Sequence, residues 1–400
     1  MDQAVMAEGA APVRFSLGLG LTNECNLACS FCYRDPTRTD RLTLDQVRDV
    51  MGRLPVRSVN LGTGENGMHP EFRGMLAYLR TQDVKLTITS NGHSIALLPD
   101  EDLVAFADVE FSLDYATREE QDAQRGAGNW DLVQAQAARC QRLGVGVTII
   151  AVMMRSNFMR MADIAEVAAA FDAPLRLNVY QSVQSDAYAM RYDEYWDGFA
   201  ELFARTDVVA IGEPLVRAMA GLPARRGGCG AATVRVTPRA TVQPCVYWPG
   251  GGEPLGVLLE MGEAIVGTAP FEAARSLPEA CAGCAYVAPC RGGCAGRRRL
   301  QDALRCRTCI ARSCGGRSGG CRCRWRRRGT CRSWRARARR SCSRGVCAPQ
   351  ACAPRLDSVR RRGARRGRGC RGGRPRGCGR GGRRGPGCGR RGRGRRRRGS

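Results

Sequence analysis

Apolar residues come in short runs set between longer amphipathic stretches, and this alternation repeats six times before residue 185. Phe15–Leu21 is the first run, bounded by turn signals as a buried strand would be. Thr43-Leu44-Asp45-Gln46 reads as a capping box that opens a helix to about Leu54. Further strands are expected at Val56–Leu61, Val84–Thr89, Val109–Leu113, Val145–Met153 and Leu175–Tyr180. Helices are expected over Glu71–Gln82, Asp100–Ala107, Asn129–Leu143 and residues 161–171. Strands alternating with helices predict an α/β protein with a parallel sheet and helices outside it.

Polar clusters follow the strands and do not precede them. They are a cysteine loop after Leu21, Gly62-Thr63-Gly64-Glu65, Ser90-Asn91-Gly92, Ser112 with Asp114, and Arg155-Ser156-Asn157. In parallel α/β barrels the active site is built from such loops, at the C-terminal ends of the strands. These clusters should therefore converge on one face. Each alone has a plainer reading: Gly62–Glu65 as a turn, Ser90 and Ser112 as strand-end caps, Arg125 as a solvated surface arginine. Asp114 reads as a helix N-cap or as an acid or base facing the substrate.

Composition divides the chain in two. Residues 305–400 hold 35 arginines, no lysine and one acid, Asp357, a net +34. Against the total of +27, residues 1–304 carry the difference, −7, so the basic charge belongs to the tail alone. The tail has no Glu, Asn, Phe, Tyr, Lys, Met or His and cannot form a packed core. One reading is a disordered Arg/Gly/Cys-rich nucleic-acid tail. Such tails interleave aromatic residues for stacking, and this one scatters twelve cysteines instead. The preferred reading is a frame error, because Arg, Gly, Cys, Ala, Pro and Ser are what GC-rich DNA encodes out of frame.

The N-terminus has no charged segment followed by an apolar core, so no signal peptide is expected. The longest strongly apolar run, Val147–Met154, is too short to span a bilayer. A cytoplasmic, reducing setting is expected, where clustered cysteines are more often metal ligands than disulfides. Two histidines, His69 and His93, make a histidine-based metal site or triad improbable. Cys140, inside a helix, reads as a buried inert thiol.

Cys25, Cys29 and Cys32 stand in C-x3-C-x2-C spacing. A [4Fe–4S] cluster normally takes four cysteines, and three leave one iron open for chemistry. A zinc loop is the other reading, but it would want a fourth ligand nearby, and no further His or Cys precedes His69.

Residues 15–185 resemble a radical SAM core. The spacing above with Phe31 as its aromatic matches that superfamily's signature, and Gly62, Thr63, Gly64 and Glu65 resemble its GGE motif. The resemblance implies a partial (β/α)6 TIM-like barrel. It implies a [4Fe–4S] cluster on Cys25, Cys29 and Cys32 whose open iron chelates S-adenosylmethionine. The region of Gly64 and Glu65 would hold the methionine amino group. Ser112 and Arg125 would hold the carboxylate or ribose, and Ser90 and Asn157 the nucleoside. No catalytic acid or radical relay is identified.

Further on, Cys229 and Cys245 flank a hairpin-like stretch, Thr233–Thr237 and Ala240–Gln243. Then comes C-x2-C-x5-C-x3-C at Cys281, Cys284, Cys290 and Cys294. Spacing alone allows zinc. The layout resembles the SPASM extension of some radical SAM enzymes, with Ala240 where that pattern has Gly. The resemblance implies one or two auxiliary iron–sulfur clusters. Cys229, Cys245 and Cys294 would bind one. Cys281, Cys284 and Cys290 would bind another, completed by a last cysteine that the frame error would have removed. The division expected is residues 1–14 as an N-terminal segment, 15–185 as core, 186–228 as a bridge with a linker at 222–228, 229–304 as the SPASM-like domain, and 305–400 as tail.

This layout implies a radical SAM enzyme acting on a peptide or protein, as a maturase. An electron donor such as flavodoxin or ferredoxin is implied. About fourteen residues precede the first strand, which leaves no room for a leader-binding domain and either weakens the peptide reading or implies a separate peptide-recognition protein. The rival enzyme reading has a small molecule or cofactor precursor as substrate. The rival of another class is a zinc-bearing nucleic-acid-binding protein using the tail. No membrane partner is expected.

Overall fold

The computed structural model describes residues 14–206, 209–221 and 228–301. The expectations for most of the N-terminal segment, nearly all of the 222–228 linker, residues 302–304 and the tail lie outside these residues. In chain order the elements begin with β1 (Phe15–Leu19), α1 (Leu44–Arg53), β2 (Val56–Leu61), α2 (Phe72–Arg80) and β3 (Lys85–Ser90). Next come α3 (His93–Ala96), α4 (Asp100–Leu103), β4 (Asp108–Ser112), α5 (Arg118–Arg125), α6 (Asn129–Arg142) and β5 (Gly146–Met153). They are followed by α7 (Met161–Ala170), β6 (Leu175–Val179), α8 (Tyr192–Arg205), β7 (Val209–Ile211) and α9 (Pro214–Met219). The last are β8 (Thr233–Val236), β9 (Thr241–Gln243), β10 (Glu253–Pro254), α10 (Leu255–Met261), α11 (Ala269–Arg275), α12 (Val287–Cys290) and α13 (Ala295–Leu300).

All strands join one ten-stranded sheet in the order β10-β9-β8-β1-β2-β3-β4-β5-β6-β7. β1 to β7 run parallel in chain order, as strands joined by crossover helices do. The sheet is an open barrel wall, since β1 pairs with β8 rather than returning to β6 or β7.

One face of the parallel strands is apolar and meets the helices. Leu17, Leu19, Val59, Leu61, Ile88, Val109, Phe111, Ile149 and Leu177 lie there with Val47, Val50, Met75, Leu79, Val133 and Ala137, all buried in one core. Each such aliphatic side chain contributes about 1.5–3 kcal/mol on burial. The other face is polar and self-satisfied. Ser58 donates to Ser16 at 3.0 Å, Asn60 to Thr87 at 3.0 Å and Thr89 to Glu110 at 2.6 Å, and Glu110 also pairs with Arg176.

Several expectations shift. The first strand stops at Leu19, not Leu21. The helix expected over Asp100–Ala107 is a four-residue turn, Asp100–Leu103. Its remaining residues lead directly into β4. The hairpin in the cysteine-rich region forms, but its first strand pairs parallel with β1, so the region extends the core sheet.

Candidate functional site

The loop from Asn23 to Tyr33 has no regular secondary structure, and polar contacts hold its shape. Arg34 donates to Asn23 O at 3.0 Å and to Leu27 O at 2.5 Å, folding the loop back on itself. Cys32 N donates to Cys29 O at 3.0 Å. Asn91, from the loop after β3, donates to Asn26 Oδ1 at 2.9 Å and to Cys25 Sγ at 3.6 Å.

Gly62–Glu65 is a wedge rather than a free turn. Thr63 and Gly64 both have left-handed backbones, φ +75° and +63°. A Cβ on Gly64 would lie 2.4 Å from Glu24 O and 2.5 Å from Thr22 O, so only glycine lets this loop touch the cysteine loop. Glu65 N then donates to Glu24 O at 2.7 Å. Thr63 bears its strained conformation while its hydroxyl meets Tyr33 Oη at 3.0 Å.

The Glu65 carboxylate is buried and accepts three hydrogen bonds, from Ser90 Oγ at 2.5 Å, Ser94 N at 2.7 Å and Asn91 N at 3.0 Å. A carboxylate has about four acceptor positions, so one remains. Ser90 is thereby committed to Glu65, and its oxygen also accepts from Gly92 N at 2.9 Å.

Arg125 ends α5 and pairs with fully buried Asp114 at 2.7 Å, with its guanidinium 5.3 Å from the centre of the Phe31 ring. Burial works against the Arg125 charge, but Asp114 and Cys29 outweigh it and raise its pKa. Asp114 does not cap a helix as expected; Thr117 caps α5. Asp114 instead holds Arg125 and accepts from Val152 N at 2.8 Å.

One cavity of about 170 Å³ collects these loops. Cys25, Cys29, Cys32, Phe31, Thr63, Gly64, Glu65, Ser90, Ser112 and Arg125 line it. Gly62 and Asn157 do not. Gly62 lies behind the wedge, its N–H donating to Leu19 O. Asn157 is buried with its amide spent on backbone: it accepts from Met154 N at 2.8 Å and donates to Asp114 O and Val152 O, each at 3.0 Å. His93 does not line the cavity, and His69 is buried between Leu42 O and Glu71 N. The lining also holds Tyr33, Arg34, Gln181 and Tyr247, which motif spacing did not mark. Asn91 was marked only as part of Ser-Asn-Gly.

The cavity's chemistry fits an iron–sulfur cluster with a bound cationic ligand. Burial pushes Cys25 up to about 11 and Cys29 upward, so these thiols need a cationic centre to ionise. Among the described residues no three His, Cys, Asp or Glu side chains close on a single-ion position. Cluster ligands have no need to, since each binds its own iron. Glu65 offers an anionic acceptor beside them, and Arg125 a cation.

The later cysteines form a second group. Cys245 donates to Cys229, which pulls Cys229 down to about 7 and pushes Cys245 up. Gly296 packs beside both sulfurs: a Cβ there would lie 3.6 Å from Cys245 Sγ and 3.9 Å from Cys294 Sγ. Tyr247 N donates to Cys245 Sγ at 3.4 Å, and Gln181 Nε2 to Cys294 Sγ at 3.8 Å. Tyr247 and Gln181 both line the first cavity, so the two cysteine groups share a wall. Cys281 and Cys290 are buried near each other, and their charges act on Arg298.

Residues 19–168 match the model of the Radical SAM superfamily. That stretch carries the radical SAM domain, and the protein is a radical S-adenosylmethionine enzyme with a [4Fe–4S] cluster and S-adenosylmethionine as cofactors. It is 28% identical over 303 residues to mycofactocin maturase MftC of Mycolicibacterium smegmatis, spanning 68% of this chain and 76% of that protein. Its fold resembles that of native anSMEcpe with bound AdoMet and Cp18Cys peptide: TM-score 0.59, 18% identity, covering 74% of this chain and 94% of the other. It also resembles Streptococcus suis SuiB bound to precursor peptide SuiA: TM-score 0.58, 14% identity, covering 75% and 76%. No described helix is long and apolar enough to cross a membrane.

Proposed function

We propose that this protein is a peptide maturase, which uses radical chemistry to modify a ribosomally made peptide. The observation that carries this is the shared wall: the cavity holding Cys25, Cys29 and Cys32 is also lined by Gln181 and Tyr247, which bond the second cysteine group. The similarity to a named maturase extends over both regions.

When bound, the cluster and S-adenosylmethionine supply a 5′-deoxyadenosyl radical that abstracts a hydrogen atom from the substrate. The chain's own residues position and shield this step. Cys25, Cys29 and Cys32 would hold the cluster. The remaining acceptor of Glu65 would receive the methionine ammonium, and Gly64 sets that carboxylate against the cysteine loop. Arg125, fixed by Asp114, would bind the carboxylate or ribose together with Ser112. Ser90 acts through Glu65, which it bonds. Phe31, Tyr180 and Tyr188 pack edge to face over the loop and exclude water. Cys229, Cys245 and Cys294 would hold one auxiliary cluster, and Cys281, Cys284 and Cys290 would ligate a second. A flavodoxin or ferredoxin delivers the electron, and a separate protein presents the peptide.

The test is anaerobic. The full chain is reconstituted with iron and sulfide, reduced with dithionite, given S-adenosylmethionine and assayed for 5′-deoxyadenosine by mass spectrometry. Product is expected from the wild type and none from Cys29→Ala. A precursor peptide encoded beside the gene should raise turnover and change mass. A fully loaded chain that forms no deoxyadenosine would sink the reading. Turnover raised by a small molecule and by no peptide would move the substrate to the other class.

A further inference from the structure

Buried polar atoms gather around Cys294 without partners. Arg297 pairs with Glu213 at 2.8 Å, their side chains 8% and 5% exposed. The other Arg297 nitrogen, Nη1, has no hydrogen-bond partner among the described residues. Neither do Glu213 Oε1, Tyr195 Oη and Gln181 Oε1, all buried. The Cys294 charge acts on both Arg297 and Tyr195, and Gln181 Nε2 donates to the Cys294 sulfur at 3.8 Å. The Gln181 amide is oriented by its neighbours. Val179 O, at 3.3 Å, and the sulfur both accept, so the nitrogen must face them.

A buried donor left without an acceptor is costly, so Arg297 Nη1 and Tyr195 Oη persist where a further acceptor completes them. A guanidinium and a phenol both donate, and a thiolate-ligated cluster offers sulfur acceptors and negative charge. Donors and positive charge near cluster sulfurs favour the reduced state, and a carboxylate opposes it.

We infer that Arg297, Glu213 and Gln181 set the reduction potential of the iron–sulfur cluster held at Cys294, with Arg297 and Gln181 raising it and Glu213 lowering it. This rests on the reading of Cys294 as a cluster ligand. These are positioning residues, acting through the sulfur and the cluster. Gln181 also lines the radical cavity, so it stands where the two centres meet.

The experiment is a redox titration of the reconstituted full chain, followed by electron paramagnetic resonance, with iron counted in every sample. Arg297→Met and Gln181→Leu should shift the auxiliary signal to lower potential, and Glu213→Gln should shift it higher. Iron content and the potential of the Cys25/Cys29/Cys32 cluster should stay as in the wild type. Unchanged potentials, or shifts of one sign in all three variants, overturn the inference. Should Arg297→Met not fold, Gln181→Leu and Glu213→Gln decide by their opposite signs. Wild-type chain holding about four irons and no more would overturn the auxiliary-cluster reading, and this inference with it.

Discussion

Ala240 shows how one residue can record a departure from its family's pattern. It stands where the SPASM-like pattern has glycine, and its φ is +54°. A side chain in this conformation costs about 1–2 kcal/mol. Ala240→Gly should therefore stabilise the protein by about 0.5–1 kcal/mol, the loss of unfolded-state restriction taking back the rest. Urea denaturation measures this; an unchanged or lower midpoint counts against the argument. His69 gives a pH dependence. Burial lowers its pKa from the ordinary 6.5, outweighing the bond to Leu42 O. The folded state then binds fewer protons than the unfolded one. Its contribution is fully present above about pH 6.5 and is lost as pH falls below that value. Stability should drop between about pH 7.5 and 5.5, and His69→Gln should flatten that slope. Other residues were less legible. Asp114 and Asn157 sat in the right loops, but their roles depend on Arg125 and on the backbone of β5, partners that no local pattern names.

At the scale of elements, local signals were sound where they were self-contained. Both capping-box bonds form at α1, Gln46 N to Thr43 Oγ1 at 3.1 Å and Thr43 N to Gln46 Oε1 at 2.9 Å. Thr43→Ala should cost about 1 kcal/mol, read as a lower urea midpoint without loss of iron content. Five of the six core strands were placed within about a residue of their observed ends, because apolar runs flanked by turn residues allow little else. Helix α5 was missed because Arg118–Arg125 is almost wholly polar and shows no apolar period. Its signal was Thr117 three residues before Glu120, where Thr117 Oγ1 accepts from Glu120 N at 3.3 Å. The partial barrel and the converging loops were readable from the alternation and the resemblance. The parallel pairing of β8 with β1 was not, since it joins residues more than two hundred positions apart.

At the scale of the molecule, that pairing binds the cysteine-rich region to the core. Arg239, in the turn between β8 and β9, adds ion pairs to Asp35 at 2.8 Å and Asp40 at 2.9 Å, just beyond the cysteine loop. These pairs are half exposed and contribute at most about 1 kcal/mol. The strand ladder and buried Val234 and Val236 do more. The order of the sheet also has a consequence for how the chain is made. β1 leaves the ribosome first, yet its second neighbour, β8, is complete only once Val236 has been added. Until then β1 presents an open row of N–H and C=O groups, with the cluster loop hanging from its end. The nascent chain must guard that edge through most of its translation, and metal delivered before β8 docks meets a loop supported on one side only.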